Sequence, residues 1–509
     1  MNFQHLSRRK LGRKNNQLNH LLVRSNQTPT KTFSMKIEGL NGRLFAPYQR
    51  DGVKWMLGME AQTSGPKGGF LCDEMGLGKT VQLISTMLAN PRDRTLIIVP
   101  KSIITQWVEE INRFAPSLTV GVFDGPNRKL DMETKVIIAP YTLVAERKDQ
   151  TTPLHNVMWD RVILDEAHEI RNKRSKTFKG VCDLRTDIKW LVTGTPVFNS
   201  MDDFVNLCAF LGIPKNFVQG RTKEIKDIYI LRRTKEDLAK INERLALPPC
   251  YFENVELEMF PEEKSLYEFV FTEAQETIKD AFRNAQSLNS KNMIILECLL
   301  RARQCMIHPQ MYMNGVAFKN GTAPTKWEGR SNKMETLFKC LKEHPNEKTL
   351  IFCQFRGEMN YIQSKLECPV FRIDGSVPKE ERVRQVNEFK KIESGAVFII
   401  QIKSGGQGLN LQEATRVYIT APAWNPATEL QAVGRSHRTG QTQAVHVKKL
   451  VYKECPRFIS VEEEMMALQG HKSIVCAEVL NDERIEKQIP VNRTTDKISI
   501  LDIKKIFHA

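Results

Sequence analysis

Short apolar runs alternate with helix-length amphipathic segments along most of this chain, and that rhythm restricts the folds open to it. Between about residues 40 and 240 the runs are Gly69–Cys72, Thr95–Val99, Lys135–Ala139, Arg161–Leu164 and Lys189–Thr193. Segments such as Thr80–Leu88 and Ile103–Phe114 lie between them. Strands alternating with helices predict a parallel sheet covered on both faces, because a parallel crossover needs a helix-length connection. The rhythm returns at Thr349–Cys353, Val370–Ile373, Ala396–Ile400 and Arg416–Thr420. Residues 250–330 read as mainly helical, with irregular pieces around Asn314–Arg330. The fold class expected is α/β, two parallel-sheet lobes with a helical region between them. The boundaries expected are a basic tail at 1–37, a first lobe at 38–245, a helical region at 246–330, a second lobe at 331–475 and a closing segment at 476–509.

A chain of 509 residues is too long for one ordinary core. With 41% hydrophobic and 26% charged residues it reads as globular. No stretch approaches the roughly 18 consecutive apolar residues of a membrane span. The cysteines form no Cys-x-x-Cys pair, so neither a zinc ribbon nor a disulfide framework is signalled, and a reducing compartment fits. The net charge of +16 points to a polyanionic partner, nucleic acid first. Half of that charge comes from the first 37 residues, where Arg8, Arg9, Lys10, Arg13, Lys14, Arg24, Lys31 and Lys36 stand without one acid. This segment reads as disordered. It suits a loose DNA tether, a nuclear import signal around Arg8–Lys14, an Arg-rich presequence, or an inert tail. No secretory apolar core precedes a cleavage site, so export is not expected.

Leu71-Cys72-Asp73-Glu74-Met75-Gly76-Leu77-Gly78-Lys79-Thr80 follows an expected strand and opens an expected helix. A phosphate-binding loop needs this setting: backbone N–H groups and the helix N-terminus surround the phosphates, Lys79 reaches the β and γ groups, and Thr80 holds magnesium. Asp73 stands where the strict pattern has glycine. The plain alternative is a glycine-rich turn with an exposed lysine. Arg161-Val162-Ile163-Leu164-Asp165-Glu166-Ala167-His168 supplies the complement, an apolar strand that ends in two carboxylates. At the C-terminal edge of a parallel sheet, Asp165 would hold magnesium and Glu166 would orient and deprotonate the attacking water. ATP and Mg2+ are the cofactors expected.

The Asp-Glu-Ala-His box resembles that of DEAH-type members of helicase superfamily two, and the flanking residues are similar to the Swi/Snf family of double-stranded-DNA translocases. Leu44 through Met56 resembles the family's opening motif, whose glutamine (here Gln49) reads adenine. Asp73-Glu74-Met75-Gly76-Leu77-Gly78-Lys79-Thr80 is the family's form of the phosphate loop. Leu96 through Pro100 with Gln106-Trp107, Thr193-Gly194-Thr195-Pro196, Leu231 through Lys235 and Cys305 through Pro309 match first-half landmarks. In the second half the resemblance rests on Leu350 through Phe355, Arg372 through Ser376, Lys403 through Leu411 and Gln431 through Gln441. The family usually has alanine in place of Ser404 and commonly aspartate in place of Gly434. Ser460 through Gln469 resembles a helix that braces two RecA-like lobes, and Ile500 through Phe507 the family's closing segment.

What this resemblance implies is an ATPase with its nucleotide between lobes. The first lobe would hold phosphates and magnesium, while Arg435 and Arg438 of the second meet charge in the transition state. Thr193, Thr195 and Gly408 would couple hydrolysis to lobe movement. Lys101, Ser102, Thr142, Ser404 and Trp424 would touch the nucleic-acid backbone, although Trp424 reads equally as a packed core aromatic. Backbone contacts carry no sequence information, so salt-sensitive, sequence-independent binding is expected. The activity implied is a DNA-translocating motor in remodelling, repair or transcription, with nucleosomes or transcription machinery as further partners. A strand-separating DNA or RNA helicase, a viral transcription-associated ATPase and a nucleotide-gated clamp are the alternatives. The nucleus or a cytoplasmic viral factory is the expected location.

Overall fold

The computed structural model describes residues 37–42, 44, 47–146, 152–194, 201–241, 247–284, 288–404, 409–438, 440–453, 460–467, 469–470 and 506–507. The chain divides into two units, the first running to residue 246 and the second beginning at 247. The N-terminal tail, Thr195, Gly408 and most of the closing segment lie outside the described residues.

The first unit is built on β1 (Lys67–Leu71), β2 (Thr95–Val99), β3 (Val120–Val122), β4 (Val136–Pro140), β5 (Met158–Asp165), β6 (Arg185–Val192) and β7 (Ile230–Leu231). They pair in the order β3-β4-β2-β5-β6-β1-β7, and every pairing is parallel. The inner strands are buried along most of their length, which is why β2 (Thr-Leu-Ile-Ile-Val) and β4 (Val-Ile-Ile-Ala-Pro) read as unbroken apolar runs. One residue of β5 breaks that composition. Arg161 is 1% exposed and meets Glu60, itself 2% exposed, at the end of the helix Pro47–Glu60. Its Nε and Nη2 donate to the two Glu60 oxygens at 2.7 and 2.6 Å. Glu60 also accepts from Trp190 Nε1 at 2.8 Å and Asn90 Nδ2 at 2.6 Å. A buried charge persists only when paired and hydrogen-bonded, and this carboxylate joins an N-terminal helix to β5, β6 and the end of the helix Lys79–Ala89.

The second unit holds β8 (Cys250–Leu257), β9 (Thr349–Cys353), β10 (Val370–Ile373), β11 (Val397–Gln401), β12 (Arg416–Ile419) and β13 (Val445–Tyr452). Their order is β10-β11-β9-β12-β13-β8, again wholly parallel. The nine expected strands are all present. Residues 246–330 differ from the expectation of a region between two lobes: β8 is a strand of the second sheet. The helices Pro261–Asn284 and Leu288–Ile307 bury Tyr267, Val270, Ile295 and Ala302 in the same core as Ile351 and Tyr418. The helix Pro309–Asn320 also extends into the stretch read as irregular.

A second buried charge pair ties this unit together. Lys333 Nζ pairs with Glu462, and both side chains are almost wholly excluded from water. Glu462 accepts from Tyr452 N at 2.9 Å, while the Tyr452 hydroxyl donates to Glu263 at 3.1 Å. Residues 460–467, read as a brace between lobes, thus place Val461, Glu462 and Met465 inside the second unit. Ile506 and Phe507 join that core too, Phe507 lying 5.3 Å from Phe271 between ring centroids.

Two stability predictions follow from these contacts. Arg161→Ala strands the Glu60 carboxylate and destabilises the first unit by about 3–5 kcal/mol, read from urea unfolding followed by hydrogen exchange of the β5 amides. In the second unit, His308 Nδ1 accepts from Gln310 N at 3.1 Å and caps the helix Pro309–Asn320. Burial pushes its pKa down from 6.5 to about 4. The unfolded chain therefore binds the extra proton between pH 6.5 and 4, so stability falls with pH across that window, by up to roughly 3 kcal/mol. His308→Asn retains a capping acceptor without the titration, and urea midpoints at pH 7 and 4.5 should lie closer together in that variant.

Candidate active site

All strands of a parallel sheet end on the same edge, so the segments following β4, β2, β5, β6 and β1 share one border of the first unit. They carry Thr142, Lys101 with Ser102, Asp165 with Glu166, Thr193 and the phosphate loop, in that order across the sheet.

The loop turns at Gly76 and Gly78, with φ of 88° and 75°. Gly78 precedes the helix Lys79–Ala89, and a Cβ there would lie 2.5 Å from Gln49 Nε2. Position 78 therefore demands glycine for both conformation and space. Lys79 Nζ donates to the carbonyls of Asp73 at 2.9 Å and Glu74 at 3.4 Å. The Leu77 carbonyl is approached by the Tyr48 hydroxyl at 3.1 Å, Gln49 Nε2 at 3.3 Å and Gln82 Nε2 at 3.4 Å. Three donors compete for the two lone pairs of that carbonyl, and Gln49, 5% exposed, lies against the loop. Gly194 fits tightly against it, since a Cβ there would meet Met75 Cγ at 2.6 Å and Lys79 Nζ at 2.8 Å. The preceding Thr193 is buried, and its N–H donates to the Leu71 carbonyl at 3.2 Å.

Two residues assigned to nucleotide from sequence take another place. The Asp73 carboxylate is fully buried, accepting from Arg233 Nε at 2.9 Å, from Arg233 Nη2 and from Gln82 at 3.1 Å. Glu74 accepts from Lys235 N at 2.9 Å and pairs with its ammonium at 3.4 Å. Both side chains anchor the loop to residues 231–235. Backbone bonds from Cys72 N to Leu231 O (2.8 Å) and Glu74 N to Arg233 O (2.9 Å) reinforce that anchorage. Asp73 replaces the customary glycine because its carboxylate answers Arg233. Sequence reasoning noticed Leu231 through Lys235 without a role for it; the signal was two consecutive arginines beside a short apolar run.

Asp165 ends β5, and Glu166 follows in the left-handed region at φ 51°, a conformation costing a residue with a Cβ about 1–2 kcal/mol. Asp165 Oδ1 accepts from Glu166 N at 2.9 Å, and Oδ2 accepts from Trp107 Nε1 at 2.7 Å. The Tyr141 hydroxyl donates to the Asp165 carbonyl at 2.8 Å. Burial and the neighbouring Glu166 charge push the Asp165 pKa up to about 6, against the pull of Trp107 and Lys79. Glu166 lies 3.4 Å from His168 Nδ1. A hard divalent cation suits this neighbourhood, because Thr80 and Asp165 offer only oxygen and a positive ion would relieve the crowded negative charge. Among the described residues no group of three or more His, Cys, Asp or Glu could hold a metal ion.

The proposed backbone-contact residues divide. Lys101 is 67% exposed and pairs with Asp124 at 3.2 Å, and Thr142 is exposed. Ser404, by contrast, is 8% exposed, with its N–H on the Gln401 carbonyl at 2.8 Å. Trp424 packs against the second core. Arg435 is buried and Arg438 half-buried on the turn after the helix Pro426–Val433. That turn is pinned by Leu411 N to Arg435 O (3.0 Å) and Gln441 Nε2 to Gln412 O (2.7 Å). Gly434 has φ −63°, so its backbone places no demand for glycine.

Residues 48–222 match the SNF2-related domain, and residues 332–440 match the helicase conserved C-terminal domain. The ATP-dependent helicase fft1 of Schizosaccharomyces pombe is 28% identical over 88% of this chain and 54% of its own. The putative ATP-dependent helicase/translocase YwqA of Bacillus subtilis is 31% identical, over 87% and 49%. The probable global transactivator of Orgyia pseudotsugata multicapsid polyhedrosis virus is 28% identical, over 86% and 93%. The chain thus spans about half the length of the first two relatives and nearly all of the third.

Gly78→Ala should force an unfavourable left-handed alanine and push Gln49 off the Leu77 carbonyl. Titration with a fluorescent adenine nucleotide is expected to show binding weakened by about tenfold or more, corresponding to the 1–2 kcal/mol of a strained αL residue.

Proposed function

Because this chain belongs to the Snf2 family of helicase superfamily two, we propose that it is an ATP-driven motor moving on double-stranded DNA. The observation that carries this reading is the shared edge of the first sheet: phosphate loop and paired carboxylates at β1 and β5, exposed Lys101 and Thr142 at β2 and β4. Nucleotide enters with the loop's N–H groups and the N-terminus of the helix Lys79–Ala89 facing its phosphates. Lys79 exchanges the Asp73 and Glu74 carbonyls for phosphate oxygens, and Gln49 leaves the crowded Leu77 carbonyl for the adenine edge. Thr80 and Asp165 would hold Mg2+, which would neutralise phosphate charge. Glu166 orients the attacking water and takes its proton. Arg435 and Arg438 of the second unit stabilise charge on the transferring phosphoryl group, a contribution of about 10³–10⁵ in rate. Turnover then drives movement along the DNA backbone.

A service in transcription is favoured by the viral global transactivator, which this chain matches over 93% of its length. Remodelling or repair suits relatives such as the ISWI chromatin-remodeling complex ATPase of Saccharomyces cerevisiae and the DNA repair protein RAD5B of Arabidopsis thaliana. The nucleus or a viral factory is the corresponding place of action.

ATP hydrolysis by the purified chain, alone and with duplex DNA, single-stranded DNA or RNA, tests the proposal. Duplex DNA should stimulate turnover strongly, and strand displacement should be absent. Glu166→Gln should lower kcat by about 10²–10⁴. Arg438→Ala should keep nucleotide affinity yet lose about 10³ in kcat. Stimulation by single strands or RNA alone would instead make the chain a strand-separating helicase.

A further inference from the structure

Asp165 is gripped from two directions by segments outside the phosphate site. The turn Lys101–Ile103 after β2 runs directly into the helix Ile104–Phe114, and Trp107 lies one turn inside that helix. Its indole is 2% exposed and donates to the Asp165 carboxylate at 2.7 Å. After β4, Tyr141 stands next to exposed Thr142 and donates to the Asp165 carbonyl at 2.8 Å. Indole N–H can only donate, and a short charge-assisted bond from a rigid ring fixes the direction of a carboxylate oxygen. Each aromatic donor therefore belongs to a segment that also presents an exposed polar residue, Lys101 on one and Thr142 on the other.

Lys101 also has two alternative partners. Its ammonium now lies 3.2 Å from Asp124, and a nucleic-acid phosphate would compete for the same cation. Lys101 stands on the turn that leads into the Trp107 helix, so an exchange of partners acts at the start of that helix. A displacement approaching 1 Å at a reacting site is worth about 10² in rate.

We infer that Trp107 and Tyr141 are positioning residues that relay occupancy of the Lys101 and Thr142 surface by a nucleic-acid backbone to Asp165, Trp107 through its carboxylate and Tyr141 through its main-chain carbonyl. The relay rests on the motor reading above and supplies its regulation: nucleic acid stimulates hydrolysis by fixing the orientation of one oxygen pair. Coupling of this kind is reciprocal in binding, so duplex DNA and magnesium-nucleotide tighten each other's binding by one common factor.

That factor is the quantity to measure, on the full chain, by titrating a fluorescent non-hydrolysable ATP analogue with Mg2+ in the absence and presence of saturating duplex DNA. A labelled duplex titrated with and without nucleotide gives the reciprocal value. The unmodified protein should show a factor of about 5–150. Tyr141→Phe removes a single hydroxyl and Trp107→Phe the indole donor. Each should bring the factor at least about threefold closer to one, with duplex affinity in the absence of nucleotide held within about twofold. Stimulated turnover should fall in step. An unchanged factor in Tyr141→Phe and Trp107→Phe overturns the relay while leaving the motor reading intact. If duplex DNA alters neither nucleotide affinity nor turnover of the unmodified protein, the motor reading fails and the relay with it.

Discussion

Within each sheet every strand runs parallel to its neighbours, and the chemistry assigned to this chain depends on that constraint. An antiparallel neighbour would send its following loop to the opposite edge. With parallel pairing throughout, the loop after β1 and the carboxylates after β5 fall on one edge although 86 residues separate Lys79 from Asp165. The constraint also explains why central strands such as β2, β4 and β9 are buried along their whole length and nearly all apolar, leaving polar residues to their ends.

Where polar groups do enter the interior, they come as answered charges. Glu60 with Arg161, Asp73 with Arg233, and Lys333 with Glu462 each bury an ion pair supported by further hydrogen bonds. Desolvation cancels much of their attraction, so their contribution lies in position more than in net stability. Glu60 admits one placement of the first helix on the sheet. Asp73 gives the phosphate loop a fixed base, and Glu462 seats residues 460–467 in the second core.

Local composition made the central strands legible. Thr95–Val99 and Thr349–Cys353 match their observed limits because buried parallel strands are unbroken runs of apolar residues. β8 and β13 escaped notice because Glu253, Glu256, Lys448 and Lys449 interrupt them; Glu253 pairs with Lys448 across the two strands, Glu256 with Lys453 just past β13, and Lys449 with Glu429. The loop was legible through its spacing, but the roles of Asp73 and Glu74 were not, since Arg233 lies 160 residues from Asp73. Trp107 was noticed as part of a motif; its bond to Asp165 spans 58 residues and leaves no local trace. Ser404 illustrates the converse, a residue with the right motif position and a buried side chain.

The pairing of β8 with β13 has a consequence for biosynthesis. Cys250 is in register with Val445, and Leu257 with Tyr452, so each partner is translated 195 residues after the other. At about 5–20 residues per second the earlier strand leaves the ribosome roughly 10–40 s before its mate exists. The first sheet needs nothing beyond Leu231 and can assemble on the nascent chain. The second leaves β8, bearing Tyr251 and Phe252, without a strand partner through that interval, which makes it the half of the protein more open to mispairing during synthesis.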